Sequence, residues 1–420
     1  MGVNVPAGYK QTEVGVIPED WNCSALSNLC ETSSGTTPSR SLVERYFRGG
    51  AINWVKTLDL NNSVIYSTDE RVTEIALNET SLRVYPKDTV LVAMYGGFNQ
   101  IGRTGILSVP ACVNQAITAV RCGAQLDAGY LLATLNFKIE YWKSVASSSR
   151  KDPNITSKDI RDFVISYPPK AEQKSIAEAL SDADALIESL DQLIAKKRQI
   201  KQGAMQELLT GKRRLPGFGG EWGVVRAGDI GYFKGGSGFP TRFQGGRSGE
   251  LPFYKVSDMN IEGNEIFMNS ANNYIDDGLR KQIGATSFPA NSIIFAKVGA
   301  AVFLERKKIL SQASCLDNNM AAFMLDDARA DFRFIHFALL NKNLGSLVST
   351  TALPSLSNSV LAAIEFVLPP RAEQTAIATL LSDMDTELAA LESRLAKARQ
   401  IKQGMMQELL TGRIRLLPKQ

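Results

Sequence analysis

The chain has 420 residues, of which 44% are hydrophobic and 21% charged, and these are the proportions of a folded globular protein. This length exceeds one ordinary core and predicts two domains or a duplicated unit. No run of about 18 apolar residues occurs, which argues against a membrane-spanning helix. The net charge of +4 is compatible with nucleic-acid binding without being diagnostic of it.

The first residues, MGVNVPAGYK, contain no apolar core of the kind that a signal peptide needs, so we expect a cytoplasmic protein. The cysteines are odd in number and form no CxxC pair, which suggests neither a disulfide framework nor a zinc site. We expect all of them to be reduced core residues: Cys23, Cys30, Cys112, Cys122 and Cys315.

Residues 1–167 are predicted to form a first variable domain with its N-terminal segment, because short β-branched and aromatic runs broken by Gly, Asn and Asp indicate mostly strands. Within it, GFNQIGRT (97–104) approaches the phosphate loop GxxxxGK[ST], but Arg103 replaces the lysine. We instead predict a turn that presents Asn99, Gln100 and Arg103, since amides suit adenine and arginine suits guanine. A solvated polar loop is the alternative.

Residues 168–212 are predicted to form a long helix that opens with a proline pair and ends at Gly211. Its apolar residues step by four and three, as in a coiled-coil seam. The seam consists of Ile176, Leu180, Ala183, Ile187, Leu190 and Ile194 and, after a loss of phase, resumes through Ile200 and Leu208.

The end of this helix, RQIKQGAMQELLTGK (198–212), returns 201 residues later (399 − 198 = 201) as RQIKQGMMQELLTGR (399–413). We therefore predict a second variable domain at residues 213–368 and a second long helix with a C-terminal tail at residues 369–420. The equivalent seam runs through Ile377, Leu381, Met384, Leu388, Leu391 and Leu395 and resumes through Ile401 and Leu409. Such a period indicates internal duplication.

Each copy of the helix contains an interior glycine, Gly203 or Gly404, which costs about 1 kcal/mol relative to alanine. Close approach of a second backbone or a bend in the helix explains it. Because the surrounding polar residues are repeated as well, we expect two identical partner subunits to dock there. The candidate docking residues are Gln202, Gly203, Gln206, Glu207, Gln403, Gly404, Gln407 and Glu408.

The second variable domain joins the end of the first helix directly to the start of the second, so those two helix ends must lie together. The predicted fold class is therefore α+β, with two mixed, strand-rich domains separated by two long antiparallel coiled-coil helices. This arrangement is pseudo-twofold, and it is quasi-circular because the second helix returns beside the first domain.

The duplicated PP[KR]AEQ to QELLTG helices, the entry at Gly35 to Ser39 and the paired CVNQA and CLDNN segments resemble a specificity subunit of a type I restriction-modification system. This resemblance implies two target-recognition domains that each read one half of a split double-stranded DNA site. It also implies that the helices dock two methyltransferase subunits and, through them, restriction subunits with motor and nuclease activity. The resemblance therefore implies that this chain binds no cofactor. The methyltransferase partners would bind S-adenosylmethionine, and a restriction subunit, where one is present, would bind ATP with magnesium.

Catalytic and metal-binding patterns are not found in the sequence. His336 is the single histidine and stands in the apolar run DFRFIHFALL, which favours a structural role and leaves no His-based nucleophilic system to be duplicated. The segments YPPK and VLPP are helix starts and do not match the base-holding motif of an amino-methyltransferase. We therefore expect the chain not to be an enzyme.

Basic and amide side chains of the variable domains are the candidate DNA contacts, since lysine and arginine bind phosphates and thereby set register. The candidates are Arg40, Lys56, Asn99, Gln100, Arg103, Arg150, Lys151, Arg242, Lys255, Lys297, Arg306, Lys307 and Lys308. Amides also occur at the equivalent sites Asn114-Gln115 and Asp317-Asn318-Asn319, where turn capping or burial of a hydrogen-bond network is favoured over base readout. Alternatives to the whole reading are a specificity chain of a related defence or type II system, and a structural scaffold that binds no DNA.

Overall fold

The computed structural model describes residues 5–97, 99–147, 154–348 and 354–417. The chain divides into two compact units, which are unit 1 (1–191 with 393–420) and unit 2 (192–392). Each unit combines one variable segment with the first part of one long helix and the last part of the other. The division cuts both long helices, so the predicted boundaries of the variable domains stay predictions.

The elements up to the end of the first long helix are β1 (Tyr9–Thr12), β2 (Gly15–Pro18), β3 (Asn22–Ala25), α1 (Leu26–Leu29), β4 (Cys30–Ser34), α2 (Val43–Tyr46), β5 (Ile52–Val55), β6 (Ser63–Ile65), β7 (Arg71–Val72), α3 (Glu74–Glu79), β8 (Val90–Ala93), β9 (Thr104–Leu107), β10 (Ala111–Val113), β11 (Ile117–Cys122), α4 (Ala128–Phe137), α5 (Ile139–Ser147), α6 (Ser157–Asp162), β12 (Val164–Tyr167) and α7 (Lys170–Leu208).

A five-stranded sheet with the order β4-β11-β8-β9-β6 forms the centre of unit 1. Successive side chains of β8 point to opposite faces, as the pleat requires. Val90 and Val92 pack against the helices and Trp21, whereas Leu91 and Ala93 pack toward the smaller sheet β10-β5-β7. The central strand β8 is therefore buried on both faces, which explains why it is continuously apolar.

The remaining elements are β13 (Gly223–Arg226), α8 (Ala227–Ile230), β14 (Gly231–Gly235), β15 (Leu251–Tyr254), β16 (Phe267–Met268), β17 (Tyr274–Ile275), α9 (Asp277–Gln282), β18 (Ser287–Phe288), β19 (Ile293–Ala296), β20 (Lys307–Leu310), β21 (Ser314–Leu316), β22 (Met320–Leu325), α10 (Phe332–Leu340), α11 (Asn358–Ala362), β23 (Glu365–Leu368) and α12 (Arg371–Leu409).

Unit 2 repeats the build of unit 1. Its five-stranded sheet has the order β14-β22-β19-β20-β16. Ile293 and Phe295 of β19 face one hydrophobic cluster and Ile294 faces another, as in β8. The internal duplication predicted from the helices thus extends to the variable segments.

Within each unit the two long helices run antiparallel and are joined by equivalent ion pairs. In unit 1, Asp184 pairs with Lys402, and Asp191 with Arg399 at 2.9 Å. In unit 2, Asp385 pairs with Lys201, and Glu392 with Arg198 at 2.6 Å. Each residue of the second set differs from its counterpart by 201 (385 − 184, 402 − 201, 392 − 191, 399 − 198). The predicted α+β fold with long antiparallel helices is confirmed.

The repeated Ala-Glu-Gln at each helix start has a structural role. Glu172 has a side chain that is 1% exposed and accepts hydrogen bonds from Arg415, with Nε at 2.8 Å. Gln173 accepts from the backbone N–H of Asp127 at 2.7 Å and donates to the carbonyl of Pro168 at 2.8 Å. These contacts join the start of α7 to α4 and to the tail after α12.

Glu373 and Gln374 make the equivalent contacts in unit 2. Glu373 accepts from Arg214 Nε at 2.6 Å, and Gln374 accepts from the N–H of Asp331 at 2.9 Å. Each variable segment is therefore fixed to the start of one helix and to the end of the other by the same buried polar groups.

One expectation for the helices is wrong, and one of the two explanations for their interior glycines is narrowed to a partner. Ile200 and Ile401, where the seam was expected to resume, are 47% and 53% exposed, whereas Leu208 and Leu409 are buried. A Cβ added at Gly203 or Gly404 would meet no heavy atom within 4 Å in the described part of the chain, which excludes close approach of a second backbone of this chain. Among the described residues, no helix is long and apolar enough to cross a membrane.

Candidate nucleic-acid interface

Three segments of unit 1 meet at one edge of its five-stranded sheet, which we call the loop edge of unit 1. β11 is antiparallel to both β4 and β8, with Thr118 opposite Ser34 and Ile117 opposite Ala93. The ends of β4 and β8 therefore lie beside the start of β11. The segments that converge there are Gly35–Ser39 after β4, the Asn114-Gln115 turn before β11 and the described residues of the 94–103 connection after β8.

The loop after β4 is tied to the turn before β11. Gly35 donates to the carbonyl of Ile117 at 3.2 Å, and Thr37 Oγ1 donates to Gln115 Oε1. A Cβ at Gly35 would lie 2.1 Å from the carbonyl oxygen of Val113, so only glycine fits. Asn114 Oδ1 accepts from the N–H of Ala116 at 3.1 Å, which confirms turn capping for this residue.

Two of the predicted DNA contacts form an ion-pair network beside this loop. Lys56 directly follows β5, and its Nζ lies 2.7 Å from Glu70, as does the Arg40 guanidinium. The guanidinium also covers the rings of Phe47 and Trp54. Hydrogen bonding by Arg40 lowers the pKa of Glu70, although burial opposes the shift. The stacked Arg40 remains 50% exposed, so a phosphate can reach it.

The connection after β8 is a turn between two strands, as predicted, and no helix follows it, which excludes the phosphate-loop context. A Cβ at Gly96 would lie 3.4 Å from Thr57 Oγ1, so this turn abuts the residue after Lys56. The Asn99 side chain is exposed, whereas Arg103 Nε donates to the Asn99 carbonyl at 3.0 Å. Gln100 Oε1 is buried and has no hydrogen-bond partner in the described part of the chain.

Unit 2 has an equivalent loop edge, where β14 and β19 end and β22 begins. Gly236 is again the only residue that fits, since a Cβ would lie 2.0 Å from the Asp317 carbonyl oxygen. Lys255 follows β15 as Lys56 follows β5, and its Nζ donates to Gln244 at 3.0 Å. The backbone N–H of Lys297 donates to the Asn319 carbonyl at 2.7 Å, so Lys297 also lies at this edge.

The remaining basic candidates differ in their placement. Lys307 is only 3% exposed and its Nζ bonds Glu305 and, at 2.8 Å, the carbonyl of Lys342, so its prediction as a DNA contact is wrong. Lys308 donates to the Glu265 carbonyl, and burial lowers the pKa of its ammonium. Arg242 is exposed and Arg306 half-buried. Arg150 and Lys151 lie outside the described residues.

The single histidine has a structural environment. His336 is 3% exposed, and its Nε2 lies 2.9 Å from the Lys307 carbonyl oxygen. Burial lowers its pKa to about 4, so the ring is neutral at pH 7. Among the described residues, no three His, Cys, Asp or Glu side chains are grouped to hold a metal ion.

The cysteines are free thiols, but their placement corrects one expectation. Cys112 and Cys315 are buried, as expected, and burial raises the pKa of each thiol to about 11. Cys23, Cys30 and Cys122 are only half-buried and lie around the edge of the core.

The predicted docking residues lie on the surface of the long helices. The equivalent residues Glu207 and Glu408 each pair with a nearby arginine, Arg213 at 3.6 Å and Arg413 at 3.5 Å, and these two arginines stand at different positions of the repeat. Gln202, Gln206, Gln403, Gly404 and Gln407 are exposed, and Gly203 is half-exposed. The exposed Ile200 and Ile401 lie one helical turn before the two glycines, so each surface combines apolar and polar groups.

A family model described as the type I restriction modification DNA specificity domain matches the chain twice, at residues 18–198 and 219–402. The MjaIX specificity subunit of Methanocaldococcus jannaschii is 26% identical over 97% of this chain and 96% of that subunit. The MjaVIII specificity subunit of the same organism is 23% identical over 95% of this chain and 94% of that subunit. A type I S subunit from M. genitalium shares the fold, with a TM-score of 0.62 and 16% identity over 93% of this chain and 96% of that structure.

Proposed function

The chain belongs to the type I restriction-modification DNA specificity family, and on this basis we propose that it reads a bipartite DNA target, with one half-site for each unit. The observation that carries the proposal is the duplicated loop edge. Lys56 and Lys255 follow equivalent strands, beside loops that contain Gly35 and Gly236. Phosphate contacts from the basic side chains would set the register on the duplex, and the loops would supply base contacts.

The ion pairs at the loop edge of unit 1 support this role. Arg40 and Lys56 already pair with the carboxylate of Glu70, and a DNA phosphate likewise offers anionic oxygens that accept charge-assisted hydrogen bonds from both cations. Glu70 keeps both cations oriented in the free protein, so less side-chain entropy is lost when DNA binds.

We also infer that the chain is not itself an enzyme. Its histidine is buried and neutral, and methyl transfer would belong to two methyltransferase subunits that bind S-adenosylmethionine. Where restriction subunits are present, they would bind ATP with magnesium and perform motor and nuclease work. This chain would bind none of these cofactors.

Mapping of methylated adenines in cells that carry the chain with its partners, and in cells that lack only this chain, tests the proposal. We expect a bipartite methylated motif only when the chain is present. Binding of that motif by the purified complex should weaken steeply with salt, because bound phosphates release counterions. Methylation of the same motif without the chain, or turnover by the chain free of partners, would contradict the proposal.

The exposed helix surfaces support docking of the methyltransferase subunits. Nothing in the described chain approaches Gly203 or Gly404, so the helix-weakening effect of these glycines has no benefit within the chain. Beside each of them an isoleucine is about half exposed, Ile200 at 47% and Ile401 at 53%. A partner helix could approach closely at the glycine, which has no side chain, and would bury the neighbouring isoleucine. Both the glycine and the exposed isoleucine would then contribute to docking.

Replacement of both glycines by alanine is expected to stabilise the free chain by about 1 kcal/mol per site, because alanine is the better helix former. The same methyl groups should weaken assembly with the methyltransferase subunits, since they occupy the space left for the partner. Urea unfolding measures the first effect and titration calorimetry the second. The control Ser393→Ala, at an exposed site of α12, should add helix stability without affecting assembly. Unchanged assembly in Gly203→Ala/Gly404→Ala would exclude close packing at these sites.

A further inference from the structure

The two loop edges differ in chemistry at one equivalent position, which is the connection that follows β8 in unit 1 and β19 in unit 2. In unit 1 the described residues of this connection expose Asn99 and, to 37%, Tyr95. In unit 2 it is the apolar tip, which we define as residues 299–305. Phe303 and Leu304 at its end are each 55% exposed. Unit 2 therefore presents two adjacent large apolar side chains at its loop edge, each more exposed than Tyr95 of unit 1.

The apolar tip is held in place by its own backbone and by one buried side chain. Residues Ala300–Leu304 form a 3-10 helix, and Val302 within it is only 3% exposed. The turn begins at Gly299 with a φ of 82° and ends at Glu305 in the left-handed conformation with a φ of 54°. The ring of Phe303 also lies against Gly345, where a Cβ would be 2.9 Å from Phe303 Cδ1. Exposure of the two side chains is thus a property of an ordered turn.

Charges around the apolar tip favour a polyanion. The acidic side chain of the tip, Glu305, is turned inward, where it accepts from the N–H groups of Leu344 at 3.1 Å and Gly345 at 2.6 Å and pairs with Lys307. Asp317 at the same edge is only 6% exposed. Lys297 stands two residues before the tip, and Arg306 directly follows it.

We propose that Phe303 and Leu304 insert as a wedge between two base pairs of the half-site that unit 2 reads. The proposal rests on the proposed function, because it assumes that this edge meets DNA. In a duplex the stacked bases are apolar and the charged phosphates flank them. The apolar pair Phe303 and Leu304 would contact the bases, and the basic Lys297 and Arg306 on either side of it would contact the phosphates. Apolar side chains of this kind enter base steps and partly unstack them. Flexible pyrimidine–purine steps deform most readily, so such a step belongs at the wedge position.

The experiment uses the full chain assembled with its methyltransferase subunits and a duplex that carries the motif found by methylation mapping. The adenine analogue 2-aminopurine, which fluoresces more strongly when unstacked, is placed in turn at each position in and beside the second half-site. The variants are Phe303→Ala/Leu304→Ala and the control Val224→Ala, which removes a 65% exposed apolar side chain of β13 outside the tip.

With the unchanged chain, we expect fluorescence to rise at a single step. The double variant should lose this rise and bind the duplex about 10- to 100-fold more weakly, by the usual loss when a stacked side chain is removed. Val224→Ala should retain both the rise and the affinity. If the unchanged chain binds tightly and fluorescence rises at no position, the wedge is overturned and the proposed function stands. If the unchanged complex does not bind its mapped motif, the proposed function itself is refuted. Loss of partner assembly by the double variant, with DNA binding intact, would show that the tip docks protein and would also overturn the wedge.

Discussion

Replacement of Arg415 by alanine is expected to lower the free energy of unfolding of unit 1 by about 3–5 kcal/mol, the usual cost of leaving a buried charge without its partner. The Glu172 carboxylate is 1% exposed and accepts from Arg415 Nε at 2.8 Å and from the N–H of Leu416 at 3.2 Å. Without the guanidinium, one backbone donor must hold a buried negative charge. Arg415 also pairs with Asp20 at 2.6 Å, so the N-terminal segment would lose a contact with the C-terminal tail.

Urea unfolding followed by tryptophan fluorescence reports mainly on this unit, because Trp21, Trp54 and Trp142 belong to it and only Trp222 belongs to unit 2. The control Arg399→Ala removes an ion pair whose side chains are 58% and 47% exposed, and it should cost less than about 1 kcal/mol. The double variant Glu172→Gln/Arg415→Met removes both charges and should recover most of the loss. A small effect of Arg415→Ala, equal to that of Arg399→Ala, would contradict the structural role assigned to this pair.

The long helices could be predicted from the sequence because their signals are local. The seam positions Ile176, Leu180, Ile377 and Leu381 are all at most 3% exposed, as their spacing predicts. Antiparallel pairing followed from connectivity alone, since the second variable segment joins the two helices directly. The seam prediction was wrong at Ile200 and Ile401, because periodicity identifies an apolar face without showing whether this chain or a partner covers it.

The loop edges could be predicted only in part. Their members are far apart in sequence, and their convergence depends on the strand order β4-β11-β8, which no local pattern reveals. One available signal was missed: Gly35 and Gly236 occupy equivalent entry loops, and a glycine kept in both copies often marks close backbone approach. The burial of Lys307 could not be predicted either. Its ammonium group donates to the backbone carbonyl of Lys342, which follows the end of α10 and is far away in the sequence.

Exchange of residues 213–368 for the equivalent segment of another family member is expected to replace one half-site completely and to leave the other unchanged. The loop edge of unit 2 is built from Gly236, Lys255, Lys297 and Asp317, which all lie inside the exchanged segment. The loop edge of unit 1 lies wholly outside it. Each mismatched base pair costs about 1–3 kcal/mol, so a half-site that differs at several positions would no longer be read.

The donor segment must keep an arginine at position 214, because the buried Glu373 of α12 remains in the recipient chain and needs its partner at 2.6 Å. A donor with another residue there would confuse lost stability with altered specificity. The matched control is the original chain with the single substitution Val224→Ala in the same segment. This substitution alters an exposed side chain of β13 away from the loop edge.

A genome-wide map of methylated adenines, made in cells that express the exchanged chain with the same methyltransferase partners, tests the central claim most directly. If each unit reads its own half-site, the map will show a new bipartite motif in which one half is the original sequence and the other is the half-site of the donor. If both halves of the motif change together, or if the original motif stays methylated in full, then the assignment of one half-site to each unit is wrong.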